Sequence, residues 1–235
     1  MFEKEFLKSN STIEEKLNNF PKFVRRQAIA RFLCQYHIFE KQMSLKGSVV
    51  ECGVNLGGGI FSWAHFSSIL EPYNYHRKII GFDTFDGFPS LNKKDGKGIK
   101  KKKSWFKRKY DVKKELLNLT KVFDKNRFLN NKKKIELIKG DAYKTIPLYL
   151  KKNPELLVSL LFLDFDIYQP TVVALDHFLP RMSKGGIIAF DQLNNPDWPG
   201  ETLAYLEKNQ LQKYKIENLT FEPNISFIQI KLVNE

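Results

Sequence analysis

Residues 48–63 read SVVECGVNLGGGIFSW, a short apolar run followed by a glycine-rich turn and a second apolar stretch. A near-continuous apolar run such as 48–54 is typical of a parallel strand that is covered on both faces. The stretch 59–70 is compatible with a helix. A strand, a tight turn and a helix in this order predict the first βα unit of an α/β sheet.

The same alternation continues toward the C-terminus. Further strands are predicted over 78–85, 134–141, 158–166 and 185–192, with helix-compatible stretches at 113–125, 142–152 and 171–182 between them. A last helix near 200–211 precedes two strands, 215–221 and 225–233, that a Glu-Pro-Asn turn joins. The sequence therefore predicts a doubly wound, mostly parallel sheet that ends in an antiparallel hairpin.

The N-terminal region has helical character over 12–43, with Ser11 or Thr12 as a cap. Pro21 is expected to split it, so that a second helix begins near Phe23. Four apolar residues recur at helical spacing in that second helix: Phe32, Leu33, Tyr36 and Phe39. We expect a helical extension over 1–46 that packs on one core domain over 47–235.

Composition limits the class of protein. Hydrophobic residues make up 42% of the 235-residue chain and aromatic residues 14%, which is enough for a large core and argues against disorder. No apolar stretch approaches the roughly 20 residues that a membrane-spanning helix needs, and the N-terminus does not resemble a secretory signal. Cys34 and Cys52 lack a metal-like spacing and fit two core thiols of a reduced, cytoplasmic protein.

The net charge of +13 is concentrated in one segment. Residues 93–114 hold twelve Lys and Arg against Asp95 and Asp111, so the remaining chain is almost neutral. This basic insertion lies between the second and third predicted strands, and we expect it near the mouth of any site there. A solvated surface loop is the plainer interpretation of such a run.

Acids follow the predicted strands. Asp83, Asp141 and Asp191 end three of them, and Asp164 and Asp166 end a fourth. If the strand continues to Asp166, its carboxylate and that of Asp164 point to the same side. Ligands of open α/β sheets bind beyond the carboxyl ends of the strands, so these acids are expected to gather around one.

The turn ECGVNLGGG fits E-x-G-x-N-x-G, a form of the glycine loop of S-adenosylmethionine enzymes. Its matching residues are Glu51, Gly53, Asn55 and Gly57, and Asn tolerates the left-handed backbone that glycine adopts there. Asp83 could accept from ribose hydroxyls, and Asp141 from an adenine amino group. Helix capping is the plainer role for each, for Asp141 in particular.

Four segments in this order and spacing carry a family resemblance: GSVVECGVNLGGG, IGFDTFDGFP, LDFDIYQPT and GGIIAFDQ. They resemble the macrocin-type sugar O-methyltransferases, which are class I S-adenosylmethionine enzymes. The resemblance covers roughly residues 25–205, and IGFDTFDGFP is its most specific part. It implies a Rossmann-like class I methyltransferase fold with the usual antiparallel last strand.

The resemblance also implies roles for the acids. Family members bind a magnesium-type ion through the first acid of the D-x-D and an acid pair after the fifth strand, which here makes Asp164, Asp191 and Gln192 the metal ligands. Asp166, the second acid of the D-x-D, takes the place of the proposed general base. Gln192 departs from the family, since an amide adds no charge. Asp197 or Glu201 could complete the site instead.

The expected acceptor is a sugar hydroxyl, and the basic insertion favours a nucleotide-linked or phosphorylated sugar. Aromatic residues among the cations also allow stacking on a base or sugar. Three alternatives stay open: an RNA methyltransferase that clamps its substrate with the insertion, a metal-dependent glycosyltransferase and a non-catalytic binding module. Nucleic acid is the less favoured partner, because the charge is local. The N-terminal helices could pack against a second copy of the chain.

Overall fold

The computed structural model describes residues 1–96 and 104–230, and it has the predicted doubly wound α/β fold. Seven strands form one sheet in the order β3-β2-β1-β4-β5-β7-β6. The first five are parallel, and β7 is antiparallel to both β5 and β6. The strands span Ser48–Cys52 (β1), Ile79–Asp83 (β2), Ile135–Lys139 (β3), Val158–Leu163 (β4), Met182–Phe190 (β5), Glu217–Leu219 (β6) and Glu222–Gln229 (β7).

Helices cover both faces of the sheet. They span Phe2–Lys8 (α1), Ile13–Asn18 (α2), Arg26–Gln42 (α3), Gly58–Leu70 (α4), Val112–Lys125 (α5), Ala142–Lys152 (α6), Tyr168–Phe178 (α7) and Gly200–Leu206 (α8). Side chains of α3, α4 and α5 share one core cluster, and those of α6, α7 and α8 share the other. Neighbouring strand residues such as Leu160 and Leu161 contribute to opposite clusters, which is why the strands read as continuous apolar runs.

Two features of the ends differ from prediction. α1 is an additional helix, and the hairpin turns at Thr220 and Phe221 rather than at Glu-Pro-Asn. Glu222 and Pro223 lie inside β7, where the pairing with β6 is irregular and β5 pairs only from Ser226 onward. Because the strand pairing is interrupted there, a proline, which has no backbone N–H, is tolerated at position 223. The predicted strand end at 231–233 lies outside the described residues.

The two cysteines lie in the core, as predicted. Cys34 and Cys52 are unpaired and fully buried. Burial raises the pKa of the Cys34 thiol to about 12. His37 packs near the Phe227 ring, and His177 bonds to the Val173 carbonyl within α7. Across residues 1–96 and 104–230, no helix combines the length and apolar character that crossing a membrane requires.

Candidate active site

A cavity of about 540 Å³ opens at the edge of the sheet where β1, β2, β4 and β5 end. Its walls include the glycine-rich loop after β1, the loop after β2 and the acids after β4 and β5. Arg31 of α3 also lines it. Since parallel strands finish at the same edge, residues distant in sequence meet here, at the position predicted for a ligand.

The loop after β1 approaches its neighbours too closely for most side chains. Gly53 has a φ of 103°, and a Cβ there would lie 1.9 Å from the carbonyl oxygen of Asp164. Asn55 adopts the left-handed conformation expected of it, with a φ of 49°. Gly57 is the residue immediately before α4. At Gly58, the first residue of α4, an added Cβ would meet nothing within 4 Å. The start of α4 is therefore open on the cavity side.

Asp83 holds two loops together. Its Oδ2 accepts hydrogen bonds from the backbone N–H groups of Val54 (2.8 Å) and Asn55 (2.7 Å), and its Oδ1 accepts from that of Phe85 (2.6 Å). Burial raises the pKa of Asp83, and the bonds from the three N–H groups oppose this shift. Asp83 also lines the cavity, so its carboxylate lies at the position predicted for a ligand.

Glu51 lies directly beneath the glycine-rich loop. It is 2% exposed, and a Cβ on Gly59 would lie 2.6 Å from its Oε1. Its Oε2 finds no hydrogen-bond partner among the residues that the structure describes. Burial raises the pKa of Glu51 to about 8, although the positive charge of Arg31 opposes the shift. Glu51 is thus a proton-binding group in the folded protein at neutral pH.

This raised pKa predicts a pH-dependent stability. Folded Glu51 retains a proton that the unfolded chain, with the ordinary value of 4.5, has already released, so the free energy of unfolding should fall as the pH rises from about 4.5 to 8. Glu51→Gln should flatten this slope in urea titrations at pH 5 and pH 8, while the exposed control Glu155→Gln should keep it. Equal slopes for wild type and Glu51→Gln would contradict the assignment.

Asp141 caps a helix. It is the N-cap of α6, and its Oδ1 accepts a hydrogen bond from the backbone N–H of Tyr143 (3.0 Å). Gly140 and Ala142 line the main cavity, whereas Asp141 borders a second, more open depression beside it. The capping role is therefore observed, and the contact with adenine stays a prediction.

Asp164, Asp166 and Asp191 form a carboxylate group at the cavity floor, with one oxygen of each within 4.8 Å of the others. The predicted strand extension to Asp166 is wrong: β4 ends at Leu163, and Asp166 has a φ of 62°. The left-handed turn, rather than strand alternation, brings the two carboxylates together. Burial, followed by repulsion from Asp191, raises the pKa of Asp164, and Arg31 opposes this.

Gln192 and Glu201 support this group from the side and from below. Gln192 Nε2 donates to Asp166 Oδ1 (2.5 Å), and its Oε1 accepts from Asn195 Nδ2 (3.1 Å). The fully buried Glu201 accepts from the backbone N–H groups of Gln192 (3.1 Å) and Asp166 (3.4 Å). Asp197 is exposed on the same loop. Among described residues, neither Glu201 nor Asp197 joins the carboxylate group.

Arg31 is the site residue that sequence reasoning missed. Its Nη2 donates to Asp164 Oδ2 (2.8 Å), and its Nη1 donates to Asp191 Oδ1. Desolvation lowers the pKa of Arg31, but the attraction of Asp191 and Asp164 outweighs this and leaves it raised. The guanidinium therefore stays charged and bridges two of the three acids.

The buried face of α3 explains the omission. Its buried residues are Cys34, Gln35, Ile38, Phe39 and Gln42, and Arg31 continues this stripe toward the cavity. Phe32 and Leu33, which the apolar pattern placed inward, are 38% and 49% exposed. Cys34, Gln35 and Ile38 follow Arg31 by three, four and seven positions, so all four lie on the same face of the helix. This spacing in the sequence could have identified Arg31 as an inward-facing residue.

The sheet order, the glycine-rich loop after β1 and the acids after β2, β4 and β5 define a class I S-adenosylmethionine-dependent methyltransferase. The sequence profile described as macrocin O-methyltransferase (TylF) matches residues 33–215, and the chain belongs to that family. No curated protein sequence matches the chain significantly.

Solved structures agree with this assignment. A crystal structure of CalS11, a calicheamicin methyltransferase, has 31% sequence identity and a TM-score of 0.93 over 97% of this chain and 89% of its own. Apo CalS11, described as a TDP-rhamnose 3'-O-methyltransferase of calicheamicin biosynthesis, has 28% identity and a TM-score of 0.84 over 97% and 90%. The O-methyltransferase NovP shares the fold, with 18% identity and a TM-score of 0.64 over 87% and 81%.

Proposed function

We propose that this protein transfers a methyl group from S-adenosylmethionine to a hydroxyl of a nucleotide-linked sugar, with the help of a divalent cation. The observation that carries the proposal is the group of Asp164, Asp166 and Asp191 at the floor of the cavity beside the glycine-rich loop. The likeness to CalS11, which acts on TDP-rhamnose, supports the sugar and its nucleotide carrier.

The cofactor residues are assigned from their positions around the cavity. S-adenosylmethionine supplies an electrophilic methyl group on a sulfonium. Gly53, Asn55 and Gly57 shape the loop against which it would lie, and Glu51 supports that loop from below. Asp83, which lines the cavity after β2, is assigned to the ribose hydroxyls. Asp141 is assigned to the adenine end, beside Gly140.

Asp166 is the proposed general base. It lines the cavity and is 7% exposed, and Gln192 Nε2 donates to its Oδ1. That bond orients the carboxylate. Glu201 fixes the backbone of Asp166 through its N–H. A carboxylate held in this way can accept the proton of a sugar hydroxyl as the oxygen attacks the methyl group.

The donor set fits a magnesium-type ion, because hard divalent cations prefer carboxylate oxygens. Asp164 and Asp191 would hold the ion, which would lower the pKa of a neighbouring hydroxyl. Gln192 was predicted as a third ligand. Its amide oxygen instead faces Asn195 and its nitrogen faces Asp166, so we propose that it positions the base.

Metal removal tests this part. Treatment with EDTA should reduce turnover at least about tenfold, with recovery on addition of Mg²⁺, because the cation stabilises charge that develops on the attacking oxygen. Asp164→Asn should reduce turnover similarly and resist rescue, while the exposed control Asp176→Asn should respond to Mg²⁺ like wild type. Full turnover in EDTA would contradict a role for the ion.

Two aromatic side chains of the cavity lining, Phe88 and Phe106, lie in contact with each other. The Phe88 ring contacts those of Phe106 (5.3 Å between centroids) and Trp198 (6.1 Å). Phe106 belongs to the basic insertion, which was expected near the site mouth, and Lys107 beside it pairs with Asp86 (2.8 Å). An aromatic wall with neighbouring cations suits a base or sugar ring that carries phosphates.

The other end of the insertion is also attached near the site. Asp95 Oδ1 accepts from the backbone N–H of Tyr168 (2.6 Å) at the start of α7, and Lys94 Nζ donates to the Tyr168 hydroxyl (2.9 Å). Lys94 also pairs with Glu207. Residues 97–103 of the insertion lie outside the described part of the chain.

An acceptor panel tests the function. Formation of S-adenosylhomocysteine should require a nucleoside-diphosphate deoxysugar such as TDP-rhamnose, with the free sugar at least about tenfold less active because it lacks phosphate contacts. Structured RNA should give no product. Methylation of RNA, with no turnover of any sugar, would overturn the proposal in favour of a nucleic-acid methyltransferase.

A further inference from the structure

Among the described residues that line the cavity, one side chain is cationic and several are acidic. Of the described residues that line it, five are acids and Arg31 is the only cation. The acids are Glu51, Asp83, Asp164, Asp166 and Asp191. The Arg31 side chain is 35% exposed, so it has solvent space into which it can move.

S-adenosylmethionine carries a carboxylate as well as its sulfonium and ammonium groups. The ionised acids of the cavity repel a further carboxylate unless a cation neutralises it, and the fork of a guanidinium matches a carboxylate in two hydrogen bonds. Two backbone donors of the glycine-rich loop are already used, since the N–H groups of Val54 and Asn55 bond to Asp83. Arg31 is the remaining charged partner in the cavity wall.

We propose that Arg31 exchanges partners when the cofactor binds. Without cofactor, its guanidinium neutralises Asp164 and Asp191, and with cofactor it binds the carboxylate of the methionine moiety and releases the two acids for the divalent cation. The release of Asp164 and Asp191 to a divalent cation rests on the metal role in the proposed function. The binding of Arg31 to the cofactor carboxylate rests only on membership of the methyltransferase family.

The exchange couples the two binding sites. Arg31 donates to Asp164 Oδ2 and Asp191 Oδ1, and a metal ion bound by these two acids would need the same oxygen atoms. The metal ion and the guanidinium would also repel each other at this distance, so the two compete for the acids. Cofactor binding should therefore tighten metal binding, and the reverse holds by linkage.

The test uses Arg31→Gln and Arg26→Gln. Arg26 is exposed at the start of the same helix, outside the cavity lining, and serves as the control. Calorimetry gives the affinity for S-adenosylhomocysteine and for 5′-methylthioadenosine, which lacks the amino-acid carboxylate. Electron paramagnetic resonance of Mn²⁺ gives the metal affinity with and without S-adenosylhomocysteine. Thermal denaturation verifies that each variant is folded.

Arg31→Gln should weaken S-adenosylhomocysteine about 10- to 100-fold and leave 5′-methylthioadenosine unchanged, as loss of one charge-assisted contact predicts. Without cofactor, Arg31→Gln should bind Mn²⁺ more tightly than wild type does. Addition of S-adenosylhomocysteine should tighten Mn²⁺ binding in wild type and in Arg26→Gln, but not in Arg31→Gln. Unchanged affinity for S-adenosylhomocysteine, or a wild-type Mn²⁺ affinity that ignores it, would overturn the exchange. Sugar methylation by wild type would still stand in that case, so the two proposals fail separately.

Discussion

Asp166→Asn is expected to reduce kcat by about 10²- to 10⁴-fold, the usual contribution of a general base. The substitution keeps the shape of the side chain and an oxygen for the Gln192 amide, but it removes the proton acceptor. Asn also tolerates the left-handed backbone at this position, where φ is 62°. Affinity for S-adenosylhomocysteine should stay within about threefold of wild type. Steady-state formation of S-adenosylhomocysteine and calorimetry measure the two quantities.

Asp197→Asn is the matched control, because Asp197 is an exposed acid of the loop that follows β5, outside the carboxylate group. It should retain wild-type kcat. If Asp166→Asn retained half of the wild-type kcat with folding intact, another group would have to accept the proton, and the assignment of Asp166 would be wrong.

Gly53→Ala should have the largest effect on the cofactor site. The added Cβ would lie 1.9 Å from the carbonyl oxygen of Asp164, so either the glycine-rich loop or the segment after β4 must move. Strain of about 1–3 kcal/mol from a left-handed alanine adds to the cost of this displacement. We expect affinity for S-adenosylhomocysteine to fall about 100-fold or more, together with a lower free energy of unfolding.

Gly185→Ala separates strain from collision. Gly185 also has a positive φ, 82°, but its Cβ would make an ordinary contact of 3.4 Å with Leu45, and Gly185 lies outside the cavity lining. It should lose stability and keep cofactor affinity. Near-normal affinity in Gly53→Ala would show that the loop adjusts without disturbing the cofactor site.

The parallel strands could be predicted from sequence because burial on both faces demands apolar residues at every position. β1 to β4 begin within one residue of the predicted starts, and β5 begins three residues early. The C-terminal hairpin was found but its turn was misplaced. A Glu-Pro-Asn segment is typical of turns, and the sequence does not reveal that Pro223 lies where β7 pairs irregularly.

The site was predictable where it depends on strand ends and less so where it depends on side-chain partners. The convergence of Asp164 and Asp191 follows from parallel topology alone. The left-handed turn at Asp166 and the amide orientation of Gln192 depend on local contacts that spacing does not encode. Arg31 was missed because an apolar pattern cannot show a partly buried cation whose acid partners lie more than a hundred residues away.

The proposed acceptor of the methyl group is a sugar oxygen. The most direct test is incubation with TDP-rhamnose, Mg²⁺ and S-adenosylmethionine labelled with ¹³C at the methyl group, followed by heteronuclear NMR of the product. We expect one new O-methyl signal with a long-range correlation to a sugar ring carbon. A labelled methyl on the base, or no transfer by an enzyme that binds S-adenosylhomocysteine, would contradict methylation of this sugar.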